Sequence, residues 1–218
     1  MISMNSSGYV AKIKLHCLLS VDNSSAATHV HKRFPERLSF LLYNPIRRRL
    51  SPPTRLISLL RVTPDDVVVD FGCGPGFYTI PLAQIAARTI GIDVSTRMLE
   101  RLRDNCQKSA VKIEMLQSDG MSIDLGDDSI DLIFMVHVFH EIEKKTEVLR
   151  EFSRILKGSG KLVVVERTRE GGFLSGKVGP PVINQVGLID SVATGEFRML
   201  DIVENGEDSI MIAGKLRR

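Results

Sequence analysis

One run constrains this chain more than any other: Val67-Val68-Val69-Asp70-Phe71-Gly72-Cys73-Gly74-Pro75-Gly76-Phe77. Three β-branched residues in a row predict a strand buried on both faces, as in a parallel sheet. The three glycines that follow at alternate positions predict a tight turn feeding a helix. Glycine is demanded at such a turn for two reasons. A side chain would block close approach of the backbone to a ligand, and positive φ is disfavoured once a Cβ is present. The run therefore predicts a nucleotide-cofactor loop at the end of a first strand.

The glycine spacing discriminates among cofactors. A dinucleotide site wants Gly-x-Gly-x-x-Gly with a helix N-terminus aimed at a pyrophosphate. Here the third glycine comes early, and Phe77 stands where that motif has its last glycine. The pattern Asp-x-Gly-x-Gly-x-Gly, carried by Asp70, Gly72, Gly74 and Gly76, resembles motif I of the class I S-adenosylmethionine-dependent methyltransferases. Their cofactor carries a sulfonium and an amino acid carboxylate but no phosphate. The resemblance implies that these four residues hold the methionine moiety. A nicotinamide site is the demoted alternative, and a glycine-rich turn without a ligand is the plainest one.

The downstream spacing points the same way independently of the glycines. Asp93 closes a second strand over 88–92, 23 positions after Asp70. That is near the separation at which an acid accepts hydrogen bonds from ribose hydroxyls, and a carboxylate offers two acceptor oxygens for two neighbouring hydroxyls. Taken singly, Asp93 reads equally well as a cap for the helix starting near Ser95. Val94 joins Asp93 among the cofactor-binding candidates. Met98, early in the following helix, either touches the adenine or packs in the core. The alternation Val111-x-Ile113-x-Met115 predicts a third strand over 111–117, followed by Asp119-Gly120. The resemblance gives this pair to the adenine, whereas Asp-Gly alone is a common turn.

A near-continuous apolar run, Ile130 to Val136, predicts a fourth strand buried on both faces. It delivers His137, His140 and Glu141. The resemblance places the methyl-acceptor pocket beside this strand end, with the main chain of His137 meeting the cofactor. His137, His140 and Glu141 are the candidate general bases for an acceptor that must lose a proton; His140 and Glu141 otherwise start or cap a helix. No third ligand has the spacing to make a metal site of the two histidines, so no metal is expected.

The predicted elements alternate: strands over 66–71, 88–92, 111–117, 130–136 and 160–166, with helices over 54–61, 77–87, 95–107 and 143–156. Gly158 and Gly160 are expected to close the last of these helices and open the fifth strand. Phe197 to Val203 and Ser209 to Lys215, joined by Glu204-Asn205-Gly206-Glu207, read as an antiparallel hairpin with its turn at Asn-Gly. The fold class is therefore α/β. It is a Rossmann-like seven-stranded sheet, mostly parallel with a C-terminal antiparallel hairpin, and with helices on both faces. Val148 to Gly160 resembles a segment shared by the small-molecule (type 11-like) methyltransferases. A helix after the linker 171–181 is expected to be weak because Gly187 lies inside it.

Charge divides the chain. Residues 1–61 hold ten Lys or Arg against two acids, and since the whole chain carries only +3 the remainder is net acidic. Arg47, Arg48 and Arg49, with Lys32, Arg33, Arg37 and Arg55, surround an apolar stretch. We read 1–60 as an N-terminal extension with a basic helical cap, and 61–218 as the methyltransferase domain. The basic segment is foremost a solvated helical face; a lid that attracts an anionic substrate, RNA or a membrane surface is the lesser reading. The three cysteines lack paired spacing, which argues for a reducing, cytoplasmic setting. No apolar stretch approaches the ~20 residues needed to span a bilayer. The expected activity is methyl transfer from S-adenosylmethionine to a small-molecule acceptor. The alternatives are a nicotinamide-dependent oxidoreductase and a non-catalytic cofactor- or RNA-binding protein.

Overall fold

The computed structural model describes Arg49 and residues 52–169, 181–194 and 196–216. The rest of the expected extension, including Arg47 and Arg48, and the linker 170–180 lie outside the described residues. Within the described residues the elements run α1 (Pro53–Leu60), β1 (Val67–Phe71), α2 (Thr79–Leu82), β2 (Arg88–Asp93), α3 (Thr96–Ser109), β3 (Glu114–Gln117) and β4 (Ile130–Val136). A 3-10 turn over Phe139–Glu141 follows, then α4 (Lys145–Ile155), β5 (Leu156–Arg167), α5 (Gln185–Ala193), β6 (Phe197–Asn205) and β7 (Asp208–Lys215). The seven strands form one sheet in the order β3-β2-β1-β4-β5-β7-β6. The first five are parallel, while β7 runs antiparallel to both β5 and β6.

Alternation along the central strands sorts the core into two faces. Val69, Phe71, Ile90, Ile92, Ile133, Met135, Leu162 and Val164 point one way, beneath Val148, Leu149, Phe152 and Ile155 of α4 and Leu188 and Val192 of α5. Val68, Leu132, Phe134, Val163 and Val165 point the other way, beneath Leu56, Ile57 and Leu60 of α1 and Leu82 of α2. Further along that second face, α3 covers Cys73 and Ile80 with Leu99, Leu102 and Cys106. The i, i+3, i+4 spacing of apolar residues in α4 produces this burial directly. Phe152 is fully buried, its ring edge-on to Phe71 at 5.0 Å between centroids. Helix α1 begins at Pro53, whose fixed φ and missing N–H suit the first helical position.

Four expectations need correction. The helix expected over 77–87 is helical only over Thr79–Leu82; beyond it Gln84 and Ile85 bond to carbonyls three residues back, so the chain winds down in tight turns. The third strand starts at Glu114, because Ala110 takes a left-handed conformation and the Val111 N–H returns to the Cys106 carbonyl. Residues 110–111 thus close α3 before the strand begins. Gly158 and Gly160 do not end a helix. α4 stops at Ile155 and β5 runs from Leu156, with an irregularity opposite Ile130–Leu132. There a Cβ on Gly160 would lie 2.9 Å from the Ile130 carbonyl oxygen. The hairpin pairs Asn205 with Asp208, so its two turn residues are Gly206 and Glu207, with Gly206 at φ +68°. The helix over Gln185–Ala193 forms despite Gly187: Asn184 accepts from the N–H groups of Val186 and Gly187 and caps it.

Candidate functional site

The parallel strands end at one edge of the sheet, and antiparallel β7 starts there, Asp208 facing Arg167. Between β1 and β4 the strand order changes direction, the place where an open α/β sheet leaves a crevice. The glycine turn lies at that point. The N–H groups of Gly72 and Cys73 both donate to the Ile92 carbonyl, at 2.8 and 3.0 Å, which folds the turn across the end of β2. Gly72, Gly74 and Gly76 all have positive φ, at +72°, +51° and +95°. A Cβ on Gly72 would sit 2.3 Å from a Val138 methyl, and one on Gly76 would sit 2.4 Å from a Leu102 methyl. Among the described residues, a Cβ on Gly74 would meet nothing within 4 Å. Two of the glycines are thus demanded by packing, and the middle one is crowded by none of the described residues.

Asp93 sits at the end of β2 and is half-buried. Its Oδ2 accepts the Gly74 N–H and its Oδ1 accepts the Ser95 N–H, both at 2.9 Å. Ser95 itself caps α3, its hydroxyl accepting from the Met98 N–H. The carboxylate therefore joins the glycine turn to the start of α3. Val94 beside it is exposed, as is Met121 beyond β3. Met98 is buried, in accord with core packing. Asp119 accepts from the Met121 N–H at 3.0 Å. Gly120, at φ +90°, leaves room for Phe71: a Cβ there would lie 2.7 Å from that ring.

Asp70 is buried in β1, and its Oδ2 accepts the Thr79 hydroxyl at 2.6 Å, fastening the strand to α2. Burial pushes its pKa up to about 7; the Thr79 bond works against this and the neighbouring Asp93 charge adds to it. Burial likewise pushes the Cys73 thiol up, with the Asp70 and Asp93 charges adding, so this cysteine is held as a protonated packing residue.

Each histidine after β4 pairs with a carboxylate far away in sequence. His137 adopts φ +56°, its N–H donates to the Val165 carbonyl at 2.8 Å, and its Nε2 lies 2.9 Å from Asp208 Oδ1. Glu166, fully buried at the end of β5, accepts the His140 backbone N–H at 3.1 Å and meets the His140 Nδ1 at 2.9 Å. On the other side of the ring, His140 Nε2 is 3.9 Å from Glu141 Oε1. Lys145 bonds the Ile142 carbonyl and lies 5.5 Å from the centre of the Phe139 ring. Burial pushes its ammonium below the ordinary value, and the Glu166 charge partly restores it.

The structure thus brings Asp70, Gly72, Gly74, Gly76, Asp93, His137 and His140 to one edge of the sheet. Sequence reasoning missed Thr79, Glu166 and Asp208. Glu166 carried a signal, since an acid closing the apolar run Val163-Val164-Val165 repeats the way Asp70 closes Val67-Val68-Val69. Asp208 carried none, because only the hairpin register shows what it faces.

Comparison with known proteins agrees with this geometry. Residues 69–164 match the family model described as "Methyltransferase domain". The chain is similar to a demethylmenaquinone methyltransferase of Tropheryma whipplei, 32% identical over 117 residues, which cover 54% of this chain and 48% of that protein. It is similar to the 27-O-demethylrifamycin SV methyltransferase of Amycolatopsis mediterranei, 27% identical over 113 residues, covering 50% and 42%. It is also similar to a 23S rRNA (uracil(1939)-C(5))-methyltransferase of Alcanivorax borkumensis, 29% identical over 126 residues, covering 48% and 27%. The chain spans half or less of the length of these curated relatives. Among solved structures, a SAM-dependent methyltransferase from Aquifex aeolicus superposes with a TM-score of 0.74 at 25% identity, over 84% of this chain and 98% of that one. The glycine turn, the sheet order and these likenesses agree: residues 69–164 match a methyltransferase domain, and the fold is that of the S-adenosylmethionine-dependent methyltransferases.

Proposed function

We propose that this chain transfers a methyl group from S-adenosylmethionine to a small-molecule acceptor. The observation that carries the reading is the Asp93 carboxylate bonded to the Gly74 N–H, at the one glycine of the turn that no described residue crowds. The residues present fit the cofactor. Asp93 places a carboxylate, the acceptor that suits ribose hydroxyls, at the end of β2, and Gly74 lets a ligand approach the backbone. Exposed Val94 supplies apolar surface beside them, with Asp119 and Gly120 at the adenine end. Asp70, Gly72 and Gly76 keep the turn in shape for the methionine moiety, and the His137 main chain borders it. When bound, the cofactor supplies an electrophilic methyl on a sulfonium that departs as a neutral thioether.

With a neutral leaving group, what the protein must do is hold the acceptor in line; alignment at about 3 Å contributes several kcal/mol. For an acceptor that sheds a proton, His140 is the base favoured by its surroundings. Bonding of Nδ1 to Glu166 selects the tautomer with its proton on that nitrogen, so the proton-accepting atom is Nε2. Glu141, 3.9 Å away, stabilises the charge that results. Two of the relatives are named for small-molecule acceptors, which supports that class over nucleic acid. Two free cysteines among the described residues accord with a cytoplasmic setting, and no helix among them is long and apolar enough to cross a membrane.

Titration calorimetry with S-adenosylhomocysteine tests the reading. The intact chain should bind, and Asp93→Ala should weaken binding about tenfold or more, the loss of charge-assisted hydrogen bonds. Absence of binding by the intact chain rejects the proposal. Isotope-labelled cofactor incubated with fractionated cell extract then identifies the acceptor, and label entering RNA rather than small metabolites corrects its class.

A further inference from the structure

The end of β4 holds a residue in a conformation that it does not favour. His137 carries a Cβ yet sits at φ +56°, in the left-handed region where non-glycine residues persist only when their surroundings impose it. The turn it makes has a definite consequence. The next residue, Val138, is directed onto Gly72, where its methyl occupies the space that a Cβ on the glycine would need. Val138 is therefore the wall against which the first glycine of the cofactor turn rests, and His137 sets where that wall stands.

Two contacts hold His137. Its N–H is bonded to the Val165 carbonyl, an extension of the β4–β5 ladder that any residue would make. Its ring Nε2 is bonded to Asp208 Oδ1 at 2.9 Å, a contact specific to this pair. Asp208 lies 71 residues downstream, as the first residue of β7, in register with Arg167 and Asn205. Both side chains are about a quarter exposed, at 24% and 27%, so the bond is accessible to solvent on one side and anchored in the sheet on the other. The C-terminal hairpin thereby reaches across the end of β5 to the strand that borders the glycine turn.

We propose that Asp208 is a positioning residue for the cofactor crevice. By gripping the His137 ring it locks the left-handed turn that seats Val138 against Gly72, so the hairpin fixes one wall of the crevice from across the end of β5. The inference rests on the methyltransferase reading above. It makes a prediction that a direct ligand contact by either side chain would not make. Alanine at 137 keeps the conformational penalty and loses the anchor, whereas glycine adopts φ +56° freely and needs no anchor. At 208, asparagine keeps an oxygen that accepts from Nε2–H, whereas alanine keeps none.

The test is calorimetric titration of the full chain with S-adenosylhomocysteine, each variant first shown to be folded by its thermal transition. Asp208→Ala and His137→Ala should each weaken binding about fivefold. Asp208→Asn should bind more tightly than Asp208→Ala, His137→Gly more tightly than His137→Ala, and adding Asp208→Ala to His137→Gly should cost nothing further. The inference is overturned if Asp208→Ala binds as tightly as the wild type. It is overturned equally if His137→Gly is no better than His137→Ala, or if the Asp208→Ala loss persists in the His137→Gly background. A wild-type chain that does not bind S-adenosylhomocysteine overturns the methyltransferase reading and this inference with it; wild-type binding combined with any of the other failures removes this inference alone.

Discussion

Replacing Asp70 with asparagine should make the fold more stable in alkaline than in acid solution relative to the wild type, and the magnitude follows from burial. The carboxyl lies inside β1 with its pKa raised to about 7 from the ordinary 3.8. Between those values the native protein keeps a proton that the unfolded chain has released. The native state therefore binds more protons, and stability falls as pH rises through this window. Above pH 7 the full cost of holding a buried charge is present. At 1.36 kcal/mol per pH unit, the gap between 3.8 and about 7 corresponds to about 4 kcal/mol. Asparagine carries no charge at any pH, and its side-chain oxygen still accepts from Thr79. Urea unfolding of both ligand-free proteins, followed by circular dichroism, measures the difference. The advantage of Asp70→Asn over the wild type should grow by about 4 kcal/mol between about pH 4 and about pH 8. Other titrating groups are common to both proteins and cancel. A stability difference that stays flat across this range refutes the reasoning, because it would mean that Asp70 ionises in the native protein as it does in water.

Gly72→Ala and Gly74→Ala should separate folding from binding: the first collides with Val138 and should lower stability by about 1–3 kcal/mol, while the second is crowded by no described residue, costs about 1 kcal/mol in backbone strain and should chiefly weaken S-adenosylhomocysteine in calorimetry. Phe152→Ala empties a fully buried ring site against Phe71 and should cost about 3–5 kcal/mol in chemical denaturation. Glu166→Gln, once an acceptor is known, should lower kcat by about 100-fold or more while the S-adenosylhomocysteine affinity stays within about twofold, if His140 takes the proton; an unchanged kcat removes His140 from that role.

How much of this was legible in the sequence depends on whether a signal was local. The glycine turn, Asp93 and the strand Ile130–Val136 could be read because each is encoded by neighbours along the chain: β-branched runs, glycine spacing, an acid at a strand end. The apolar spacing of Val148, Leu149, Phe152 and Ile155 likewise gave α4 and its buried face. The element ends were less legible. Ala110 takes a left-handed conformation without being glycine, and Gly158 and Gly160 sit within a strand because of an irregularity in its pairing with β4. The carboxylates that hold the two histidines were not legible at all as partners, since Glu166 lies 26 residues from His140 and Asp208 lies 71 from His137. Such pairs exist only once the sheet has formed.

The interior place of β7 has a consequence for how the chain is made. Because synthesis proceeds from the N-terminus, β5 emerges with Val163, Val164 and Val165 along an edge whose hydrogen-bonding partner, residues 208–215, has not yet been translated. An unpaired edge of that composition is a template for association with other chains. Nascent protein stalled between about residue 170 and residue 208 therefore carries this edge unpaired, and it stays open to association until residues 208–215 have left the ribosome.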